Sequence, residues 1–213
     1  MVIAIDGPAG SGKSTIAKLL AEKKGFLYIN SGKLYRAITV GCLKAGITPT
    51  ESEKVIEFAK NAQIDYQFID GKDRVVLNGE DVTNQLHTDN IDKHSSPLSA
   101  IVPVRHIVND IVRKLSREID VVVEGRDMTT VVFPDTPYRF YLDASADSRA
   151  KRRFEQGTSK MGLNEIKEAI LARDEIDKNK AEGSLKIAEG VQYLDTSYLT
   201  ILEVYDKLIG RIV

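Results

Sequence analysis

An apolar run, Val2–Asp6, ends directly in Gly7-Pro8-Ala9-Gly10-Ser11-Gly12-Lys13-Ser14, and the residues after it read as a helix. The spacing G-x-x-x-x-G-K-[ST] between a strand and a helix is that of a phosphate-binding loop. Glycines let backbone N–H groups turn inward around phosphate oxygens. The N-terminus of the next helix adds positive potential. Lys13 is placed to reach the β and γ phosphates, and Ser14 to ligate Mg²⁺ delivered with ATP. The predicted ATP site is Gly7, Pro8, Ala9, Gly10, Ser11, Gly12, Lys13, Ser14 and Thr15, with Ser14 as the metal ligand.

A loop of this kind belongs to a parallel α/β sheet, and the remaining pattern agrees. Strands are predicted at Val2–Asp6, Leu27–Ile29, Asp120–Glu124, Tyr138–Leu142 and Gln192–Leu194. Helices are predicted at Ser14–Lys24, Gly32–Ala45, Glu51–Ala62, Ala146–Gln156, Asn164–Lys178 and Ile201–Ile209. Five short strands separated by helices imply a sheet covered on both faces. One stretch departs from this. Ile64–Ile69 alternates, Asp70-Gly71-Lys72-Asp73 is a turn signal, and Arg74–Leu77 extends again before Asn78-Gly79, which together predict a hairpin inserted in the core. A glycine-bounded segment, Gly157–Gly162, reads as a short loop between two helices.

Composition narrows the function. Lys+Arg is 30 and Asp+Glu 31, a net charge of −1, so nothing suggests a nucleic-acid polymer as partner. The single cysteine, Cys42, lies in an apolar run and reads as a buried hydrophobe. His87, His94 and His106 show no metal-ligand spacing. The N-terminal apolar run is five residues, too short for a signal peptide, and no run approaches a membrane span. A cytoplasmic, monomeric chain is expected.

Basic groups collect where a second anion would bind. Tyr35-Arg36 follows the second predicted strand, Arg105 sits at the start of a helix just after Pro103, and Arg126-Asp127 follows the apolar strand Val121–Val123. Ligands of parallel sheets bind outside the carboxyl ends of strands. Arg173, Asp177 and Lys180 stand at i, i+4 and i+7, one face of a predicted helix, where a plain surface ion pair is the competing explanation. Arg149-Ala150-Lys151-Arg152-Arg153 is the densest basic cluster and directly precedes the glycine-bounded loop. A solvated helix face would explain it. A closing lid that brings Arg149 and Arg153 to the transferring phosphoryl group is the stronger reading.

These residues resemble the bacterial-type cytidylate kinases over nearly the whole chain. The resemblance runs through the phosphate loop, YINSGKLYR (28–36), LNGEDV (77–82), Val104-Arg105, EGRDMTTVVFP (124–134) and RDEIDKNK (173–180). It implies a P-loop kinase core with a five-stranded parallel sheet flanked by helices, a short lid near 153–163, and a monophosphate-binding insertion containing a small antiparallel sheet. Residues 1–62 and 105–213 would form the core and 63–104 the insertion. It implies ATP and CMP or dCMP as substrates, with Lys13, Arg126, Arg149 and Arg153 catalytic. Ser31, Arg36 and Arg126 would hold the CMP phosphate. Ser96, Arg105 and Asp127 would read cytosine, Arg173 and Asp177 would hold the ribose hydroxyls, and Lys180 would stand in a phosphate-gripping position of the acceptor site. Asn30 and Glu124 stand where the family usually has Asp, Lys180 where it has Arg, and Thr129 where it has Gly. Thr129 would be strained if that position requires positive φ.

Two other classes compete. One is a P-loop kinase for another nucleotide or a small metabolite, and the other is a nucleotide-binding regulatory protein without turnover. A guanine-nucleotide switch is excluded, since the nearest base-reading match, Asn179-Lys180-Ala181-Glu182, ends in the wrong acid.

Overall fold

The structure, a computed structural model, describes residues 1–69, 72–157 and 161–212. The chain divides into two compact units. Met1–Tyr28 joins Asp120–Val213 in the first, and Ile29–Ile119 forms the second.

The chain opens with strand β1 (Val2–Asp6), helix α1 (Lys13–Lys24) and strand β2 (Leu27–Asn30). Helices α2 (Ser31–Lys44) and α3 (Ser52–Asn61) come next, then strands β3 (Ile64–Ile69), β4 (Lys72–Leu77) and β5 (Glu80–Asp81). Helices α4 (Asp89–Leu98) and α5 (Val102–Leu115) lead to strand β6 (Val121–Gly125), a π-turn at Met128–Val132 and strand β7 (Tyr138–Asp143). The chain finishes with helices α6 (Ala146–Glu155) and α7 (Leu163–Lys178), strand β8 (Gln192–Asp195) and helix α8 (Ile201–Ile209).

The large sheet has strand order β2-β6-β1-β7-β8. β1 pairs in parallel with β6 and β7, and β7 with β8. Its middle strands are apolar on both faces because both faces are covered: Ile3, Ala4, Ile5 and Val121 to Val123 are all fully buried. All five predicted strands of this sheet are present. Putting β1 at the centre leaves the phosphate loop at the carboxyl end of a strand with neighbours on each side, where such sheets bind ligands.

The second unit carries the predicted hairpin. β3 and β4 pair antiparallel from Ile64↔Leu77 to Ile69↔Lys72, while the turn residues Asp70 and Gly71 lie outside the described residues. A third strand, β5, was not predicted. It follows Asn78 (φ 50°) and Gly79 (φ 84°), and a two-residue loop with both φ positive matches strand twist in tight hairpins. Cys42 is buried, and burial pushes its thiol up to about 11, in keeping with an inert core residue. Among the described residues no helix is long and apolar enough to cross a membrane.

Candidate active site

In the first unit, β1 ends at the phosphate loop and α1 begins at its last lysine. Gly7 (φ 148°) passes so close to β7 that a Cβ there would lie 1.9 Å from the Leu142 carbonyl oxygen, which excludes every side chain. Gly12 (φ 92°) caps α1 without a side-chain acceptor, and the first turn of α1 holds no acid. The amides opening α1 therefore have no local anion to satisfy them. Lys13 Nζ donates to the Pro8 carbonyl at 2.7 Å, folding the side chain over its own loop. Burial lowers the Lys13 ammonium to about 7, helped by the positive charges of Arg126 and Arg173 and opposed by Glu124 and Asp6. Ser14 and Thr15, the next two residues, are exposed.

A cleft of about 430 Å³ opens beside the α1 N-terminus. Arg152, Arg153 and Gln156 line one side, and Leu199, Ile201 and Val204 give it an apolar wall. The sequence predicts a helix over Ile201–Ile209 but gives it no part in the site, so this apolar wall is an addition from the structure. The available signal was the capping box at Thr200, whose hydroxyl accepts from the Glu203 amide at 3.3 Å and fixes where α8 begins. Arg152 is held to this segment through the Thr196 hydroxyl at 3.1 Å and the Thr196 carbonyl, and Thr196 Oγ1 lies 3.0 Å from the Ser11 carbonyl.

Arg149, expected in the closing lid, is drawn inward. It is 5% exposed; its Nε donates to the Ala144 carbonyl at 2.9 Å and its Nη1 to the Ala9 carbonyl at 3.1 Å. The same guanidinium pairs with Asp174 at 2.7 Å, so it ties the phosphate loop and the end of β7 to α7. Arg153 lines the cleft. Of the expected lid, residues 158–160 lie outside the described residues.

Beyond β6, Arg126 Nε donates to Asp177 Oδ2 at 2.8 Å, and Lys180 Nζ donates to Asp177 Oδ1 at 2.6 Å. Arg173 Nε stands 3.9 Å from the same carboxylate. Burial would raise the Asp177 carboxyl, but Arg126, Lys180 and Arg173 outweigh it and hold the group far below the usual carboxylate range. Lys180 is not on the helix face that spacing predicts. α7 ends at Lys178 with Asn179 as its cap, and Lys180 folds back from beyond the end. Asp127 is 2% exposed and heads the π-turn without capping it by its own side chain. Thr129 is not strained, because the one described non-glycine residue with positive φ is Asn78. Its side chain is fully buried, with the hydroxyl donating to Asp6 Oδ2 at 2.6 Å. Glu124 accepts from the Tyr28 hydroxyl at 2.5 Å.

The second unit holds the other predicted residues. Asn30 caps α2, accepting from the Lys33 amide at 3.2 Å, and Ser31, its first residue, is buried. Arg36 Nη1 donates to the Leu86 carbonyl at 2.9 Å and pairs with Asp92. The Arg105 guanidinium lies over the Tyr35 ring at 5.7 Å and donates to the Ser99 carbonyl at 2.7 Å. Ser99 Oγ in turn donates to the Ser96 carbonyl at 2.8 Å, which links Arg105 to the last turn of α4. Ser96 Oγ itself is buried with no protein partner. No group of three or more His, Cys, Asp or Glu side chains that could cage a metal occurs among the described residues.

The sequence matches the family model for cytidylate kinase over residues 3–213. The chain belongs to the cytidylate kinase family. It is 41% identical over 214 residues to the cytidylate kinase of Borrelia duttonii (strain Ly), covering 98% of this chain and 96% of that protein. It is 37% identical over 215 residues to the cytidylate kinase of Clostridioides difficile (strain 630), covering 100% and 98%. An uncharacterized protein from Eubacterium ventriosum ATCC 27560 shares the fold, with a TM-score of 0.56 at 14% identity over 100% of this chain and 98% of that one. Membership in this family makes the chain an enzyme of nucleoside monophosphate phosphotransfer from ATP.

Proposed function

We propose that this kinase moves the γ-phosphoryl group of ATP to CMP or dCMP, giving ADP and CDP or dCDP by direct in-line transfer. Family membership supports the reaction class. The observation that carries the acceptor reading is Ser96 Oγ, a buried hydroxyl with no protein partner, tied through Ser99 to the Arg105 guanidinium. A buried polar group without a partner costs free energy, and a ligand edge that satisfies it recovers that cost.

In this reading the phosphate loop and Lys13 hold the donor phosphates, and the apolar wall at Leu199, Ile201 and Val204 receives its base. The exposed Ser14, directly after Lys13 at the α1 N-terminus, is the hydroxyl that would hold a Mg²⁺ ion carried by the nucleotide. When bound, that ion neutralises charge on the β and γ oxygens. Ser31, Arg36 and Arg126 hold the CMP phosphate, Arg173 and Asp177 hold the ribose hydroxyls, and Lys180 brings a phosphate-binding charge without the planar fork of an arginine. Ser96 and Arg105 donate to cytosine O2 and N3, and Asp127 accepts from N4. Arg126 and Arg153 neutralise charge as it develops, while Arg149 holds the phosphate loop. No strong base is needed, because the attacking phosphate oxygen is already anionic. We assign residues 63–104 to the monophosphate-binding insertion and 153–163 to the lid, and take the acting form to be a cytoplasmic monomer.

An acceptor screen tests the proposal by measuring ADP formation with CMP, dCMP, UMP, AMP and GMP. Uracil reverses the polarity at positions 3 and 4, and each buried mismatch costs about 1–3 kcal/mol, so CMP should exceed UMP about a hundredfold in kcat/KM. Equal rates with all five acceptors would overturn the base-reading assignment. No ADP with any of them would leave a nucleotide-binding protein.

A further inference from the structure

Thr196 is the first residue after β8 and is 2% exposed. Its backbone continues the sheet, with the amide donating to the carbonyl of Asp143, the last residue of β7, at 2.8 Å. Its hydroxyl reaches further. Oγ1 lies 3.0 Å from the Ser11 carbonyl of the phosphate loop and 2.9 Å from the Asp143 carbonyl, so its one hydrogen serves this pair of acceptors. As an acceptor the same hydroxyl meets α6. Arg152 Nη1 donates to Oγ1 at 3.1 Å, and Arg152 Nη2 donates to the Thr196 carbonyl. One edge of the guanidinium therefore grips one residue in two places, which fixes its plane as well as its position.

The place where Arg152 is held is not one that attraction alone would choose. A Cβ added to Gly12, the residue that caps α1, would lie 4.0 Å from Arg152 Nη1. The guanidinium thus stands beside the N-terminus of α1, and both line the cleft of about 430 Å³. A helix N-terminus is a centre of positive potential, and the first turn of α1 carries no acid. Two positive ends brought together repel until an anion joins them, and the phosphates of a nucleotide are such an anion. We infer that Thr196 is a positioning residue of the donor site, whose hydroxyl holds the Ser11 carbonyl on one side and the Arg152 guanidinium on the other, so that loop and cation meet the donor phosphates in fixed register. The inference rests on the reading of this loop and cleft as the ATP site. It adds to that site a cation, Arg152, apart from Arg149 and Arg153, and the hydroxyl that places it.

The test measures kcat, KM for ATP and for CMP, and Kd for ATP without CMP, in wild type, Thr196→Val, Thr196→Ser, Arg152→Met, the double variant Thr196→Val with Arg152→Met, and Lys13→Ala. Thr196→Val keeps the branched side chain and the backbone bonds but removes the hydroxyl. A hydrogen bond to a charged group corresponds to about a tenfold effect, so KM and Kd for ATP should rise by about that factor, with KM for CMP changed less than about twofold. Thr196→Ser should restore most of the ATP affinity. Arg152→Met should weaken ATP at least as much as Thr196→Val, and adding Thr196→Val to it should cost less than about threefold more, because residues in one hydrogen-bonded unit are not additive. If Thr196→Val does not fold, Thr196→Ala against Thr196→Ser provides the same comparison. Unchanged ATP affinity in Thr196→Val with a loss in Arg152→Met would overturn the positioning role and leave the donor site intact. Full multiplication of the two effects in the double variant would overturn the link between Thr196 and Arg152. A loss that falls equally on ATP and CMP, or that Thr196→Ser does not rescue, would show a merely structural bond and overturn the inference. A Kd for ATP unchanged in Lys13→Ala would overturn the donor reading itself and the inference with it.

Discussion

Arg126 Nε donates to Asp177 Oδ2 at 2.8 Å, so a cation at the end of β6 is neutralised by a carboxylate in the last turn of α7. Asp177 also receives Lys180 and faces Arg173, which makes one buried acid the counterion of three bases. Removing one partner of a buried pair leaves an uncompensated charge, at a cost of about 3–5 kcal/mol. Asp177→Asn should therefore lower unfolding free energy by about 3 kcal/mol and cut CMP turnover. Because the folded Asp177 carboxyl is held below its unfolded value, its contribution is complete above the unfolded pKa of about 4 and fades as pH falls further. Urea titrations at pH 7 and pH 3 check this. The variant should differ from wild type by less at the lower pH.

The same cluster separates two neighbouring lysines. Lys180 Nζ lies 2.6 Å from Asp177 and its side chain is 4% exposed, whereas Lys178 meets Glu175 at 3.8 Å with 56% exposure. A hydrogen bond between charged groups in a buried site contributes about 1.5–3 kcal/mol, and an exposed pair close to nothing. Lys180→Ala should lower kcat/KM for CMP by about tenfold or more, and Lys178→Ala by less than about twofold. Equal effects measured side by side would reduce Lys180 to a surface charge.

Strands, helices and the phosphate loop were legible because each rests on neighbours in sequence. An apolar run ending in Gly7 is a strand before a loop wherever it occurs, and Asn78-Gly79 dictates its own backbone. What was illegible depends on distant partners. Nothing near Asp6 shows that its carboxylate caps a turn 122 residues later. Arg149 belongs to a run of basic residues, and only the fold shows that it points inward to Asp174 and Ala9 while Arg153 faces the cleft. Lys180 misled by helical arithmetic, since spacing cannot say that α7 stops at Lys178. Thr129 looked strained on the supposition of positive φ and is instead an extra hydrogen-bond donor.

Arg149 and Arg153 should fail in different ways. Arg149 holds three fixed partners out of solvent, so Arg149→Ala should cost about 3 kcal/mol of stability. Arg149→Lys should recover part of that, because an ammonium cannot span the Ala9 and Ala144 carbonyls and Asp174 at once. Arg153→Ala should leave stability within about 0.5 kcal/mol and lower kcat by at least about tenfold. Unfolding curves and steady-state rates on the three variants decide it, and matching losses of stability would contradict the division.

Lys13 sets a proton signature for donor binding. Its ammonium is lowered to about 7 from an ordinary 10.5, so between those pH values the unfolded chain binds more protons and this group makes stability rise with pH. Phosphates placed beside Nζ favour the charged form. At pH 8 ATP binding should then take up about one proton, seen as a binding enthalpy that changes with the ionisation enthalpy of the buffer. Lys13→Met should abolish most of the uptake, and a buffer-independent enthalpy in wild type would contradict the account.

The central claim is that the phosphoryl group lands on the phosphate of CMP. Phosphorus NMR of ATP and CMP with the enzyme follows it directly. CDP and ADP should appear together in equal amounts, with no inorganic phosphate beyond background and neither product with Lys13→Ala. Inorganic phosphate in place of CDP, or ADP formed at the same rate without CMP, would contradict it.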